Sequence, residues 1–201
     1  MRFDLTKAEW FSNPWTWITS FFLLQFLGSL VVIQSLRVNP RDTYPAMAFL
    51  VLGTLISGAF AWLGPRIRVS EGGARWVPAL FYALFIFSLS QQSFRDVAFP
   101  SLNTDIFHPL EYWSLSILLC WWMEPGCRSR SLRAFTLRVF AVGMAYGLLD
   151  EAHQAFIPGR EPSLLDLALD LTGIALGWGT FLTLHRLFRG ITTKCPPSLD
   201  P

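Results

Sequence analysis

The sequence predicts an all-α, polytopic bundle of about six transmembrane helices. Hydrophobic residues make up 52% of the 201 positions, including 18 Phe and 9 Trp, too greasy for a soluble domain of this size. They fall in long blocks of spanning length, broken by turn residues such as Gly64-Pro65. Lys and Arg concentrate in alternate connections, as they do in multi-pass membrane proteins.

The first block, residues 15–36, opens on Trp15-Thr16-Trp17, an interfacial aromatic anchor. The second, 45–63, is rich in small residues and closes at Gly64-Pro65. The third is 76–91, the fourth 107–123, the fifth 134–149 and the sixth 163–188. The third and fifth hold about sixteen residues against the roughly twenty needed to cross, so flanking polar residues complete them or they stand where the protein opens to water. Ahead of the first block, residues 1–14 are mixed in charge and no small-residue cleavage site follows, which predicts a retained helix after a cytoplasmic segment. Residues 189–201 read as a disordered cytoplasmic tail.

Of the 16 Lys and Arg, only Arg37, Arg41, Arg95 and Arg160 fall on the connections opposite the N-terminus. The positive-inside rule therefore places both termini in the cytoplasm. Cys127 and Cys195 land on that reducing side, and the three cysteines form neither a CxxC pair nor an even disulfide set. The arginines are scattered among apolar blocks, which excludes a nucleic-acid-binding face.

This orientation has a consequence for the polar residues. Ser90-Gln91-Gln92-Ser93 ends the third block, and His108 and Glu111 begin the fourth. Asp150, Glu151, His153 and Gln154 end the fifth, Arg160 follows, and Asp166 and Asp170 begin the sixth. Four segments thus bring expensive intramembrane groups to one depth on the non-cytoplasmic side, where function is to be sought.

At these residues the chain resembles the VanZ-like family, membrane proteins associated with resistance to the glycopeptide antibiotic teicoplanin. Phe87-Ser88-Leu89-Ser90-Gln91-Gln92-Ser93 is similar to the Ser-rich end of that family's first helix. Asp105-Ile106-Phe107-His108-Pro109-Leu110-Glu111-Tyr112 resembles the opening of its second. The most specific match is Asp150-Glu151-Ala152-His153-Gln154-Ala155-Phe156-Ile157-Pro158-Gly159-Arg160, followed by Ser163, Asp166, Asp170 and Gly173. The resemblance covers residues 76–188 as a four-helix unit and leaves residues 15–63 as two extra N-terminal helices. Two positions depart: Asp105 stands where many members carry Lys, and Asp170 where many carry Asn. The resemblance implies a bacterial inner-membrane protein with a cell-envelope role, connected to antibiotic resistance.

Three chemistries suit the cluster. On a helix Asp150, His153 and Gln154 share a face at i, i+3 and i+4, as do Asp166 with Asp170 and His108 with Glu111. The first chemistry is a divalent cation held by Asp150, Glu151, His153 and Asp166, with Mg²⁺, Mn²⁺ or Ca²⁺ favoured by carboxylates and Zn²⁺ by added imidazole. Such an ion would hold a lipid-linked phosphate or activate a water. The second is metal-free acid/base work among the same carboxylates, with His153 or His108 moving the proton. The third is recognition, in which Arg160 grips a phosphate or carboxylate bidentately and Gln154, His108, Glu111 and Asp170 line the pocket.

A structural reading stands beside these: Asp150 or Asp166 paired with Arg160 would lock the bundle without any substrate. Against it, the acids on this side outnumber Arg95 and Arg160. The leading expectation is a hydrolase- or transferase-like role on a lipid-linked cell-wall precursor, with membrane lipid as the surrounding partner. The alternative is a non-catalytic subunit packing against other membrane proteins through helices 15–63, which carry small residues and little to do chemistry with. A proton-coupled permease ranks last, because no internal repeat or broken helix supports it. Gly173-Ile174-Ala175-Leu176-Gly177 predicts close helix packing inside the bundle, and Trp62, Trp76, Trp121 and Trp122 read as interfacial anchors. Ser90 and Ser93 have no base near them in sequence, and Gly72-Gly73 is a turn rather than a phosphate loop.

Overall fold

The computed structural model describes residues 13–67, 74–91, 107–127 and 132–192, and all regular structure among them is helical. The helices are α1 (Pro14–Leu36), α2 (Pro40–Ile67), α3 (Trp76–Ser90), α4 (His108–Cys127), α5 (Leu132–Gln154) and α6 (Leu164–Thr192). Four of them, α1, α2, α5 and α6, are long and apolar enough to cross a membrane, while α3 is apolar but shorter. Large apolar side chains such as Leu24, Leu55, Leu137, Leu149 and Leu187 stand on the outside, the surface a lipid surrounding requires. Expectations for Gln92, Ser93, Asp105, the Gly72-Gly73 turn and the tail lie outside the described residues.

Local chemistry sets the helix ends. The Asn13 side chain accepts the Trp15 N–H at 3.0 Å, and Pro14 follows at the position where a missing N–H is harmless. The same Asn13 side chain donates to Ala61 O at 3.0 Å, tying the start of α1 to the far end of α2. At the other end of α1, Arg37 adopts a left-handed conformation (φ 51°), and the Arg37 N–H bonds back to the last turn. Helix α2 begins at Pro40, ahead of the expected residue 45, because Asn39 accepts the Arg41 N–H and gives the chain an earlier start. Helix α5 is longer than the expected 134–149: it starts two residues earlier, at Leu132, and the polar turn 150–154 stays helical, which brings it to 23 residues.

Helices α4 and α6 make the tightest pair. A Cβ at Gly173 would lie 2.5 Å from Pro109 O, and one at Gly177 would collide with Trp113 O, so only glycine lets the backbones approach this closely. The close approach is then used: Ser116 Oγ donates to Ile174 O at 2.9 Å and Trp113 Nε1 to Thr180 Oγ1 at 3.1 Å. Gly143 and Gly147 play the same part on α5, where a Cβ would meet Ile174 at 2.8 Å and Asp170 Oδ2 at 2.9 Å. The expected internal packing of the Gly173 motif is what the structure shows, and a second small-residue pair, Gly143 and Gly147, serves α5.

Helix α1 packs beside α2, which lies against α3. Phe22 covers Gly53 and meets Tyr82 edge-on, Trp15 stacks on Phe60 at 4.4 Å, and Gln25 Nε2 donates to Ser114 Oγ at 2.8 Å. Trp121 is not an outward anchor: it is partly buried, edge-on to Trp15 at 5.1 Å and under the Arg75 guanidinium at 5.1 Å. Arg75 also pairs with Glu124 at 3.4 Å, so one end of the bundle is closed by aromatic packing and an ion pair. The opposite end collects the C-termini of α1, α3 and α5 with the N-termini of α2, α4 and α6, and it holds the polar cluster.

Candidate functional site

The last turn of α5 supplies the centre of the site. Asp150 and Gln154 are one helical turn apart and both buried, and Gln154 Nε2 donates to Asp150 Oδ2 at 3.0 Å. That bond fixes the carboxylate, while Asp150 Oδ1 and Gln154 Oε1 have no hydrogen-bond partner in the protein. Both residues line a cavity of about 240 Å³, whose polar wall is completed by Ser90, His108, Glu111 and Arg160. Arg160 is delivered by a turn: Ile157 N–H bonds to Gln154 O, Arg160 N–H to Ile157 O, and Gly159 takes φ 88°, which glycine adopts without strain.

At that wall His108 Nδ1 lies 2.9 Å from Asp170 Oδ1, joining the first turn of α4 to a fully buried carboxylate of α6. Asp170 Oδ2 sits in the space that Gly147 leaves, next to Tyr112, whose hydroxyl has no partner in the protein. Glu151 has a different task. Its Oε2 accepts the Ser163 N–H at 2.7 Å, and Ser163 Oγ in turn accepts the Leu165 and Asp166 N–H groups at the start of α6. Asp166 is buried in that first turn, off the cavity. His153 rests against the Phe87 ring at 4.4 Å.

The structure therefore gathers Asp150, Gln154, His108, Glu111 and Arg160 around one cavity, with Asp170 reaching it through His108. Glu151, His153 and Asp166 do not line it. Helix geometry accounts for the division: at about 100° per residue Gln154 returns to within about 40° of Asp150, His153 falls about 60° to the other side and Glu151 about 100° away. Among the described residues, neither proposed lock forms, since no ion pair joins Arg160 to Asp150 or Asp166. The buried pair that does form, His108 with Asp170, was not anticipated from sequence, because nothing local links residues 62 positions apart.

The contribution of α1 and α2 was also not anticipated. Gln25, Gly28, Ser29, Thr43 and Met47 line the same cavity. The signal was present as Gly28-Ser29 following an aromatic-rich turn, a local loss of bulk. Chemically the arrangement offers an enclosed carboxylate with one unpartnered oxygen, an imidazole held by its own carboxylate, and a guanidinium. Among the described residues no group of three or more His, Cys, Asp or Glu is arranged to hold a metal ion. Ser90 Oγ donates to Phe87 O at 2.9 Å, a bond within its own helix.

The family model described as VanZ/LLP1 matches residues 74–186, more than half of the chain. That stretch takes in α3, α4, α5 and most of α6, and leaves α1 and α2 outside. No curated protein and no solved structure matches.

Proposed function

The chain belongs to the VanZ/LLP1 family, and from that premise we propose that it is a bacterial cell-membrane protein that binds and processes the polar head of a lipid-linked envelope molecule. In this reading the helices are all spans, both termini are cytoplasmic and the site end of the bundle faces outward, as the placement of Lys and Arg supports. The observation that carries the proposal is Asp150: a buried carboxylate of a cavity-lining residue, with one oxygen held by Gln154 and the other buried without a partner in the protein. Such a group has no reason to stay satisfied by the protein alone, and a ligand hydroxyl or amine completes it.

The roles follow from position. Asp150 accepts a hydrogen bond from a hydroxyl of the head, the position a general base needs, and Gln154 holds the acceptor still. Arg160 takes the anionic part of the head, a phosphate or carboxylate, for which a planar guanidinium is suited. His108, aimed by Asp170, is a second polar group beside Glu111 at the α4 start. Glu151 and Ser163 keep the α5–α6 connection in place and so position Arg160.

The experiment is the isosteric Asp150→Asn variant in cells challenged with teicoplanin, paired with lipid analysis of the purified protein. A variant that retains its lipid and loses tolerance assigns the proton step to Asp150. A variant that loses its lipid assigns recognition to it. One that keeps both, at wild-type abundance, overturns the proposal.

A further inference from the structure

Helices α1 and α2 lie outside the family match, yet they form much of the cavity's wall. We infer that these two helices make the cavity a slot for one hydrocarbon chain of an amphiphilic lipid, with Gly28 setting how much chain it admits. The inference rests on the head-group reading above and adds the part of the ligand that the polar wall does not address.

The first argument is the size gradient along α1. Near its start Trp15, Phe21 and Phe22 fill the space toward α2, α3 and α4, and Gln25 bridges to Ser114. One turn later the bulk stops. Gly28 is exposed and a Cβ there would meet nothing within 4 Å, so the cavity it lines stays open on this side.

The second argument is the distribution of chemistry. Val32, Ile33 and Leu36 of α1, Met47 of α2 and Phe85 and Leu89 of α3 line the apolar part, while His108, Glu111, Asp150, Gln154 and Arg160 line the polar part. A soluble polar ligand gains nothing from the apolar part, and an apolar void left empty forfeits its dispersion contacts. An amphiphile satisfies both parts at once. The third argument is the rim. Leu36 and Val38 flank Arg37, and the Arg37 and Val38 N–H groups close back on Gln34 O and Ile33 O, so the α1–α2 turn holds the slot's edge in one conformation.

The test uses the full chain in detergent, read by native mass spectrometry with defined probes: lysophosphatidylethanolamines bearing decanoyl, myristoyl or stearoyl chains, and a polyprenyl phosphate. The wild type and Gly28→Ala are expected to bind the stearoyl and myristoyl probes more tightly than the decanoyl one. Gly28→Phe, whose ring fills the open space, is expected to lose the long-chain preference and to bind the stearoyl probe roughly tenfold more weakly, the loss expected when about two methylenes lose their burial. Met47→Trp, entering from α2, is expected to do the same should Gly28→Phe fail to fold. Arg160→Gln is expected to weaken every chain length alike. Polyprenyl phosphate binding without lysolipid binding, again abolished by Gly28→Phe, keeps the slot and makes its chain an isoprenoid. Equal affinity of the wild type for all three chain lengths, or unaltered stearoyl binding in folded Gly28→Phe and Met47→Trp, overturns the slot even where Arg160→Gln shows the head site intact. A loss in Gly28→Phe with Arg160→Gln unaffected does the reverse: the slot stands and the head-group reading falls.

Discussion

His108 Nδ1 and Asp170 Oδ1 lie 2.9 Å apart across the α4–α6 interface, both enclosed by protein. The bond spends the Nδ1 position of the ring on Asp170, which leaves Nε2 as the nitrogen available to the cavity that His108 lines. It also couples the site to the most closely packed helix pair, so the ring's orientation depends on the glycines of α6.

Asp170→Ala is expected to lower stability by about 1–3 kcal/mol, because it leaves a buried imidazole without its partner. Asp170→Asn keeps an acceptor for the ring and is expected to fall nearer the wild type. Thermal unfolding of the purified variants in detergent checks the order; an Asn variant as damaged as the Ala variant would show that charge, rather than the hydrogen bond, holds the pair.

Glycine replacements separate contact from mere composition. Gly173→Ala and Gly177→Ala each drive a methyl into α4 backbone and are expected to destabilise by about 1–3 kcal/mol. Gly147→Ala pushes on Asp170 Oδ2 and is expected to disturb the His108 pair as well. Gly64→Ala and Gly179→Ala, whose new methyls meet nothing within 4 Å, are expected to be neutral or slightly stabilising. Comparable unfolding temperatures across the two groups would refute the packing account.

Glu151 is expected to matter for structure before chemistry. Removing its side chain strips the Ser163 N–H of its acceptor at the entry to α6, and Glu151→Ala is expected to cost about 1–2 kcal/mol. Glu151→Gln still offers an oxygen and is expected to retain most stability and lipid binding. Should Glu151→Gln fold normally and abolish lipid processing, its carboxylate belongs with Asp150 in the chemistry.

Orientation has its own test. In a background with Cys127 and Cys195 changed to Ser, Glu161→Cys at the site end is expected to react with a membrane-impermeant maleimide in intact cells. Arg186→Cys, near the opposite end of α6, is expected to react only after permeabilisation. The reverse pattern would put the site on the cytoplasmic side and remove the envelope-facing reading.

Much of this protein was written in its sequence. Block length and hydropathy suffice for an all-helical bundle, because a chain in lipid must satisfy its backbone within each helix. Alternation of those blocks also suffices to bring Ser90, His108, Glu111, Asp150 and Gln154 to one end, since successive antiparallel helices return to the same level. What only the tertiary structure decided is the partition within that end: Asp150, Gln154 and Arg160 on the cavity, Glu151 on the Ser163 cap, His153 on Phe87, and Asp170 on His108. The physical reason is that helical periodicity gives the angle between neighbours but not the azimuth at which each helix meets the next. That azimuth is fixed by distant contacts, the glycine seams of α5 and α6 and the bulky start of α1, and they also decide that the open space at Gly28 joins the cavity.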